Sequence, residues 1–450
     1  MNQKQSFERR ALQIILLVCD AISVAGAFTI LLLVRFSDLT VRGAFSEFAL
    51  TGKFIGVYFI FVFSFYLFDL YEPRSWRTML FSPLKTALGT ALATLLMFAW
   101  FYFFSAQTAG VYGRGVFLGS VIIIFFGALV SRYTIYQKER LRIEKQTWLF
   151  LGDSASFEAL MGDISRLKIL MSVEHESLDN PPNRLDERLR QSWTGVIVGS
   201  KVPAGFNNAL MMVRLKGQAI LSLQSFYEFY CGKIPVHTLD DAWFAFTEGF
   251  SILHSPLSVR LKRISDIFIS GSMLVLLSPV MALTALLIRL ESQGPALFKQ
   301  IRVGIDNRPF TMHKFRSMRT DAEVGTGAKW ADKNDSRVTN VGRFIRKVRL
   351  DELPQLWNIL IGEMSFVGPR PERPEFTKQL REKIPFYDLR HLVKPGLTGW
   401  AQVMFPYGAS EDDAREKLQF ELFYIKNYSF ELDIEIVLKT VSVVLFGAGR

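Results

Sequence analysis

The sequence has few cysteines and few histidines, and this shortage argues against several kinds of site. Of 450 residues only Cys19 and Cys231 are cysteines, and Cys19 lies in an apolar run, so no disulfide framework is predicted. The five histidines do not have the spacing of zinc ligands. A P-loop and the G-x-S-x-G turn of serine hydrolases are also missing. Zinc, P-loop nucleotide and serine-hydrolase chemistry are therefore disfavoured.

Apolar and basic residues, in contrast, are in excess. Half of the chain is hydrophobic, with 40 Phe, which is more than one soluble core needs, so much of this surface is expected to face lipid. The formal net charge is +11. Such a charge indicates anionic partners, which include a membrane surface, a nucleic acid or a phosphorylated small molecule.

Four apolar segments in the first third predict a transmembrane bundle, at residues 11–34, 54–68, 87–104 and 116–130. Lys and Arg cluster before the first segment, between the second and third, and after the fourth, which places both ends of the bundle in the cytoplasm. No small-residue cleavage site closes the first segment, so an uncleaved helix is predicted there. Asp20 within it is interpreted as facing a neighbouring helix, with a functional pathway as the alternative.

Residues 146–250 have the sequence pattern of a Rossmann-like α/β domain. Short β-rich runs at 147–151, 169–173, 195–199 and 219–223 alternate with helical stretches, which predicts a parallel sheet. The first turn keeps Gly152, but Ser154 and Phe157 replace the later glycines of a dinucleotide fingerprint. A structural or regulatory module is favoured over nucleotide binding.

A fifth apolar run, at residues 266–290, opens a mostly α-helical domain at 251–450. Basic residues flank the run on both sides, and Ser278 and Pro279 lie near its centre. A proline inside a helix favours a kink, so a re-entrant helix-break-helix that enters and leaves by one face is predicted. The alternative is a kinked helix that spans the membrane. A later apolar stretch at 437–446 predicts an amphipathic helix on the membrane surface.

A strongly basic segment follows the hairpin. Between Lys299 and Arg349 there are thirteen Lys or Arg against five Asp or Glu. Guanidinium groups match phosphate oxygens bidentately, so this segment, with Lys314, Arg316 and Arg346, is interpreted as a phosphate-binding wall. A basic face docked on anionic lipid is the alternative.

Two adjacent carboxylates, Asp351 and Glu352, come directly after the basic segment. Apolar residues at 353, 356, 357, 360 and 361 predict a helix with one buried stripe and Pro354 in its first turn. The carboxylates would then stand at a helix N-terminus, where capping alone could explain them. Beside a basic wall and a membrane hairpin, they also suit phosphoryl transfer, with one carboxylate attacking phosphorus and the other holding Mg²⁺.

With its hairpin, the segment from Pro295 to Arg450 resembles the bacterial sugar transferase family, the monotopic polyprenyl-phosphate phosphoglycosyl transferases. The resemblance rests on motifs in one order: Lys262-Arg263 with Asp266; Gln300, Arg302 and Gly304; Lys314 to Met318; Arg346 with Leu350-Asp351-Glu352-Leu353-Pro354-Gln355-Leu356; Gly368-Pro369-Arg370-Pro371; and Lys394-Pro395-Gly396-Leu397-Thr398-Gly399-Trp400-Ala401-Gln402-Val403. The four helices at 1–145 and the α/β module make the whole chain similar to the long form that initiates exopolysaccharide, capsule or O-antigen synthesis.

The resemblance implies a two-step reaction at the cytoplasmic face of the bacterial inner membrane. Asp351 would attack the sugar-bearing phosphate of a UDP-sugar, with glucose or galactose expected, and expel UMP, and undecaprenyl phosphate would then take the phosphosugar. Glu352 would bind Mg²⁺. Residues implied in substrate binding are Lys314, Arg316, Arg346, Arg370, Arg373 and Gln402.

Two other functions are kept as alternatives. One is a membrane glycosyltransferase that moves only the sugar and releases UDP; the other is a non-enzymatic scaffold of a polysaccharide assembly complex. Nucleic acid is not expected as a partner, because the basic residues crowd beside a membrane hairpin and no recognition fold is apparent. The sequence leaves open the sugar, a homodimer, and the role of residues 324–333, where Lys329 and Trp330 cannot be aligned with the family.

Overall fold

A computed structural model of the chain separates into two compact units, Met1–Cys231 and Gly232–Arg450, and each is described by itself. The structure describes residues 3–35, 52–68, 70–71, 83–104, 109–167, 169, 171–177, 187–189, 191–199, 207–239, 243, 247–319, 337–405, 408 and 410–446. The unaligned segment 324–333 lies outside these residues.

The first unit begins with apolar helices at the four predicted segments. They are α1 Gln3–Arg35, α2 Gly52–Leu67, α3 Pro83–Phe104 and α4 Ala109–Glu144. Within α1 and α4, the stretches Ala11–Val34 and Gly115–Lys138 are long and apolar enough to cross a membrane. The apolar stretches in α2 and α3 are shorter, Ile55–Leu67 and Lys85–Phe101. The bundle thus holds two spans of full length, with two shorter apolar helices packed on them.

A buried ion pair joins the first and last helices of this bundle. Both terminal nitrogens of Arg132 donate to the Asp20 carboxylate at 2.8 Å, and the two side chains are almost fully buried. The hydroxyl of Tyr71 donates to the same carboxylate. The Arg132 guanidinium also lies 4.6 Å from the centre of the Phe65 ring. Asp20 therefore faces a neighbouring helix, as predicted. Arg132 is one of the basic residues after the fourth apolar segment, which were interpreted as cytoplasmic flanking charges, but it is buried in the bundle.

Replacing Asp20 by Asn is expected to destabilise the bundle, because it leaves the Arg132 guanidinium buried without a counter-charge. Breaking a buried pair by removing one partner costs about 3–5 kcal/mol. The thermal midpoint of the detergent-solubilised protein measures this loss. Lys138→Gln, at an exposed position on the helix that carries Arg132, serves as control. Equal thermal midpoints for the two variants would contradict a stabilising role of the ion pair.

The rest of the first unit is a small α/β layer with a four-stranded parallel sheet in the order β2-β1-β3-β4. Its elements are β1 Thr147–Leu151, α5 Ser154–Arg166, β2 Ser172–Glu176, β3 Gly195–Val198, α6 Asn207–Leu215, β4 Ala219–Ser222 and α7 Leu223–Phe226. The parallel sheet was predicted, but β2 begins three residues later than expected. Phe157 stacks on His175 with ring centres 4.8 Å apart, so an aromatic pair occupies the place of the third fingerprint glycine.

The second unit packs helices around two small sheets. Its helices are α8 Ser251–His254, α9 Pro256–Glu291, α10 Asn340–Lys347, α11 Gln355–Ile361, α12 Pro374–Lys383, α13 Trp400–Met404, α14 Glu411–Lys426 and α15 Phe430–Phe446. The antiparallel strands are β5 Leu297–Val303 and β6 Pro309–Phe315, and the parallel strands are β7 Ser365–Val367 and β8 Gly396–Thr398. A core that includes Trp400, Phe420 and Tyr424 holds α13, α14 and α15 together.

Residues just after Cys231 also pack in this second unit. The backbone N–H of Ile234 donates to the Gln419 carbonyl, and Lys233 pairs with Glu416 at 2.8 Å. The three-domain division at 1–145, 146–250 and 251–450 stays a prediction, and residues 232–239 of its middle domain lie against α14.

The fifth apolar run forms a single helix, α9, that continues through Pro279. Proline lacks an N–H and so cannot bond to the carbonyl four residues earlier. Here the Ser278 hydroxyl donates to the carbonyl of Val275 at 2.8 Å, which satisfies the acceptor that Pro279 leaves open. Apolar side chains on both sides of this point are exposed, such as Leu276 at 78% and Leu283 at 56%. An apolar helix this exposed is suited to lipid rather than to water.

Candidate active site

Asp351 and Glu352 lie on a 3₁₀ turn, Leu350–Glu352, that directly precedes α11. Arg349, which opens the turn, has a positive φ of 61°, a conformation that costs energy for any residue other than glycine and is often found at functional sites. The carboxylates were expected at the N-terminus of this helix, with Pro354 in its first turn. Pro354 is the N-cap of α11, and the acids occupy the 3₁₀ turn just before it.

The buried face of the helix that follows matches the predicted one only in part, since Leu356 of the expected stripe is fully buried. Trp357 and Ile361 of the expected buried stripe are about half exposed, whereas Asn358 and Ile359 are fully buried. Asn358 explains the rotation, because its amide nitrogen donates to the Thr311 carbonyl at 2.7 Å and its oxygen accepts from the His313 backbone at 3.1 Å. A polar residue therefore fixes α11 against β6, and β6 carries Lys314.

Glu352 is held by two basic side chains from distant parts of the sequence. Arg370, just after β7, donates to its Oε1 at 2.8 Å, and Lys314 on β6 lies 3.2 Å from the same oxygen. Burial would raise the pKa of Glu352, but Arg370 and Lys314 outweigh burial and hold it well below its usual range. Arg370 also donates to the Gln402 side chain at 3.1 Å. The structure thus brings together four of the predicted site residues.

Asp351 is in the opposite electrostatic situation. It is 8% exposed, and its Oδ1 has no hydrogen-bond partner among the described residues. Burial, followed by the charge of Glu352, raises the pKa of its carboxyl, while Lys314, Arg346 and Arg349 act in the other direction. Two neighbouring acids with opposite pKa shifts are typical of an acid pair with divided roles. The Oδ1 of Asp351 therefore makes no hydrogen bond within the described part of the fold.

The pH dependence of the reaction should follow the carboxyl of Asp351. Its folded pKa lies above the ordinary aspartate value, so the ionised fraction, and with it the rate of an attack by the carboxylate, falls as pH decreases through that raised value. We expect the acid limb of any reaction in which this carboxylate attacks to lie above pH ~4. Tryptophan fluorescence at each pH controls for unfolding, and a rate that stays flat down to pH ~4 would contradict the assignment.

Arg316 and Arg373 each bond to groups outside the acid pair. Both terminal nitrogens of Arg316 donate to the chain that leaves α9, at the carbonyls of Gln293 and Ser292. A phosphate-binding role was expected for Arg316 because of its place in the basic run. Its buried guanidinium instead holds the segment that follows α9. Arg373 lies at the start of α12 and pairs with Glu375 at 3.5 Å. Arg346 stays near the site, since it lowers the pKa of Asp351.

Arg302 adds a further basic group beside the site, from strand β5. It donates to the Pro371 carbonyl at 3.0 Å and lies 3.7 Å from Glu372. Burial lowers its pKa to about 10, with the nearby charges of Arg370 and Arg373 acting in the same direction. Guanidinium groups clustered in this way match the oxygens of an anion such as phosphate.

The acid pair also fits a magnesium ion. Both bonds to Glu352 use Oε1, which leaves Oε2, and Asp351 Oδ1 is without a donor. Mg²⁺ usually binds one or two protein carboxylates and completes its shell with water and substrate phosphates. Among the described residues, no cluster of three or more His, Cys, Asp or Glu could hold a metal by itself, so such an ion would share its shell with the substrate.

Both flanks of α9 are anchored in the second unit. Arg263 donates to the carbonyls of Ile359 and Leu360 at the end of α11, at 2.6 and 2.7 Å. At the other end, Glu291 accepts from the backbone of Asn340, which opens α10, at 2.7 Å. These two contacts join the membrane helix to the two helices on either side of the acid pair.

Sequence reasoning missed Asn358, Arg390 and Glu421 as parts of the site's support. Arg390 donates to the Arg370 carbonyl and to Glu421, each at 2.8 Å. Glu421 lies 31 residues after Arg390, and no local spacing relates the two. The one available signal was a charged residue in the apolar run of α14.

Comparisons with known proteins agree with this geometry. Residues 257–447 match the family model described as bacterial sugar transferase. A UDP-N-acetylgalactosamine-undecaprenyl-phosphate N-acetylgalactosaminephosphotransferase of Aeromonas hydrophila is 50% identical over 199 residues, 44% of this chain and 47% of that protein. A UDP-glucose:undecaprenyl-phosphate glucose-1-phosphate transferase of Escherichia coli K12 is 45% identical over 189 residues, 42% of this chain and 40% of that protein.

A shorter relative is matched over almost its whole length. The exopolysaccharide production protein PSS of Rhizobium leguminosarum bv. phaseoli is 42% identical over 190 residues, 41% of this chain and 95% of that protein. The chain spans less than half the length of the two longer relatives, but it covers the short one, and the family match at 257–447 includes the acid pair. The chain therefore belongs to the bacterial sugar transferase family.

Proposed function

We propose that the protein transfers sugar 1-phosphate from a UDP-sugar to undecaprenyl phosphate through a covalent intermediate on Asp351. The observation that carries this proposal is the buried Asp351 oxygen that has no donor among the described residues, beside a Glu352 whose Oε1 is held by Arg370 and Lys314. A nucleophile must keep a lone pair free, whereas a positioning acid must not move. The names of the relatives, which act on undecaprenyl phosphate, support the same reaction class.

In the first step, a carboxylate oxygen of Asp351 attacks the sugar-bearing phosphorus. A bond forms between that oxygen and phosphorus, the bond from phosphorus to the bridging oxygen breaks, and UMP leaves with the electron pair. In the second step, a phosphate oxygen of undecaprenyl phosphate attacks the same phosphorus, and the Asp351 carboxylate is released. The lipid product carries a diphosphate and the sugar, and the enzyme is regenerated.

The remaining residues of the site have supporting roles in this scheme. Arg370, Lys314 and Arg302 bring positive charge to the position where the phosphate oxygens would lie, which offsets the repulsion between an anionic nucleophile and an anionic substrate. Glu352 and Asp351 would hold Mg²⁺, which when bound would neutralise further charge on the diphosphate. Burial of both acids keeps water away from an acyl phosphate, which would otherwise hydrolyse.

We further propose that α9 is re-entrant and that the catalytic unit lies at the cytoplasmic face of the bacterial inner membrane. The contacts of Arg263 and Glu291 support this, because both ends of an exposed apolar helix are fixed to the same folded unit. A helix crossing a hydrocarbon core of about 30 Å would place its ends on opposite sides. The basic flanks of the helices support the cytoplasmic side.

The experiment that tests the reaction is incubation of the purified protein with Mg²⁺, undecaprenyl phosphate and a panel of UDP-sugars. The panel includes UDP-glucose and UDP-galactose, and also UDP-N-acetylgalactosamine because of the Aeromonas relative. Release of UMP with one or more donors is expected, together with a lipid-linked sugar. UDP as the product would favour a glycosyltransferase. If no donor gives nucleotide release, a scaffold would be favoured, because the first step of exopolysaccharide, capsule or O-antigen synthesis requires an enzyme that turns over its donor.

A further inference from the structure

Three consecutive backbone carbonyls around Arg370 each have a separate donor. Pro369 and Pro371 have no N–H, so this segment cannot be fixed in place by donating hydrogen bonds at those residues. The Pro369 carbonyl accepts from the backbone of Gly396 at 2.8 Å. The Arg370 carbonyl accepts from Arg390 at 2.8 Å, and the Pro371 carbonyl accepts from Arg302 at 3.0 Å. Two of the three donors are therefore arginine side chains.

Arg390 is held for this contact by buried partners on either side. Its side chain is 5% exposed, and the nitrogen that donates to Arg370 also donates to Glu421 at 2.8 Å. Its other terminal nitrogen donates to the Tyr387 hydroxyl. Burial alone would lower the pKa of Arg390, but the adjacent carboxylate of Glu421 outweighs burial, so the guanidinium stays charged. A buried ion pair is tolerated when added hydrogen bonds of this kind satisfy it.

The side chain of Arg370, in contrast, is 40% exposed. Its guanidinium is directed by the bonds to Glu352 and Gln402, and its reach to these two side chains also depends on where the main chain holds its Cα. A shift of about 1 Å in such a group is enough to reduce a rate roughly a hundredfold.

We propose that Arg390 and Glu421 are positioning residues that hold the main chain at Arg370, so that its guanidinium stays on Glu352. This inference rests on the proposed function, since sugar-phosphate transfer is the reaction that uses the Arg370–Glu352 contact. The pair does not touch the acids. It acts through one backbone carbonyl, and its effect on the reaction must therefore pass through Arg370.

A double-mutant cycle tests this dependence. Arg390→Lys keeps the charge opposite Glu421 but loses the planar fork, of which one nitrogen donates to Arg370 and Glu421 and the other to Tyr387. We expect it to lower kcat for UMP release about tenfold with little change in KM, because the substrate still binds but Glu352 is less well held. In an Arg370→Ala background the same change should cost less than about twofold.

The matched control is Glu416→Gln, which removes the carboxylate of another ion pair, partly buried, from the helix that carries Glu421. It should lower the melting temperature without a comparable loss of kcat. Losses that multiply across Arg390→Lys and Arg370→Ala would overturn the inference, as would full activity of Arg390→Lys. If Arg390→Lys does not fold, Glu421→Gln, which keeps an acceptor for Arg390, takes its place in the cycle under the same criteria.

If the unmodified protein releases no UMP from any donor, the proposed function is wrong, and the positioning role of Arg390, which rests on it, is wrong as well. If the unmodified protein releases UMP but the two losses are independent, only the positioning role of Arg390 is wrong.

Discussion

Replacing Asp351 by Asn is expected to reduce the rate of UMP release by about a thousandfold or more. The amide has nearly the same shape but lacks the negative charge and the lone-pair reactivity needed to attack phosphorus. Because Asp351 is buried with an unpaired oxygen, the substitution removes an unfavourable buried charge, so the melting temperature should stay equal or rise. Loss of activity without loss of stability separates a reactive residue from a capping residue.

Asp388→Asn is the matched control for this prediction. Asp388 lies in the same unit, is about half exposed and pairs with Arg381, so the same chemical change there should leave the rate within about twofold. An Asp351→Asn protein that keeps a tenth or more of the activity would mean that another group attacks phosphorus.

Replacing Arg370 by Ala is expected to lower kcat by about a hundred- to a thousandfold, the cost of removing one preorganised donor from a site of developing charge. Arg370 is a main reason why the pKa of Glu352 is low. Without Arg370 this pKa rises, so on acidification the variant should lose activity at a higher pH than the unmodified protein does. Arg370→Lys keeps the charge, but one ammonium cannot hold Glu352 and Gln402 in the fork geometry that Arg370 uses. We expect its rate to lie between those of Arg370→Ala and the unmodified protein.

Arg381→Ala serves as the control for Arg370→Ala, because Arg381 is an exposed arginine of the same unit whose partner is also exposed. Exposed pairs contribute about 0–1 kcal/mol, so its rate and pH profile should be unchanged. An Arg370→Ala variant with normal kcat and a raised KM alone would show that Arg370 binds substrate without taking part in the transition state.

The parts of the fold that follow from local patterns were predicted well. The parallel sheet of the first unit followed from four short apolar runs, and three of its four strands begin at the predicted residue. The apolar helices followed from composition. The pairing of Asp20 with a neighbouring helix was also predicted, but its partner Arg132 was not, because a single arginine at the end of an apolar segment has the pattern of an ordinary flanking charge.

The site was predicted only as far as its contacts are local in sequence. Asp351 and Glu352 are adjacent, so their proximity needs no tertiary information. Arg316 was assigned to phosphate by its place in a basic run, yet its side chain points to the end of α9. Charge density along a sequence does not tell which basic groups on a strand face the site and which face away.

Polar residues that stabilise the site from behind were the least predictable. Asn358 resembles a surface residue of an amphipathic helix in sequence, but it is fully buried and turns α11 on its axis. Buried polar groups are accepted in folded proteins when each is hydrogen-bonded, and those partners come from other elements. Their discovery requires coordinates.

The covalent step on Asp351 can be tested most directly by intact-protein mass spectrometry after incubation with UDP-sugar and Mg²⁺ but without undecaprenyl phosphate. We expect release of up to one UMP per protein, with a mass increase of one sugar phosphate that maps to Asp351 and disappears when the acceptor lipid is added. Turnover with acceptor but without any adduct or UMP burst beforehand would contradict covalent catalysis by Asp351. An adduct on a residue other than Asp351 would contradict it as well.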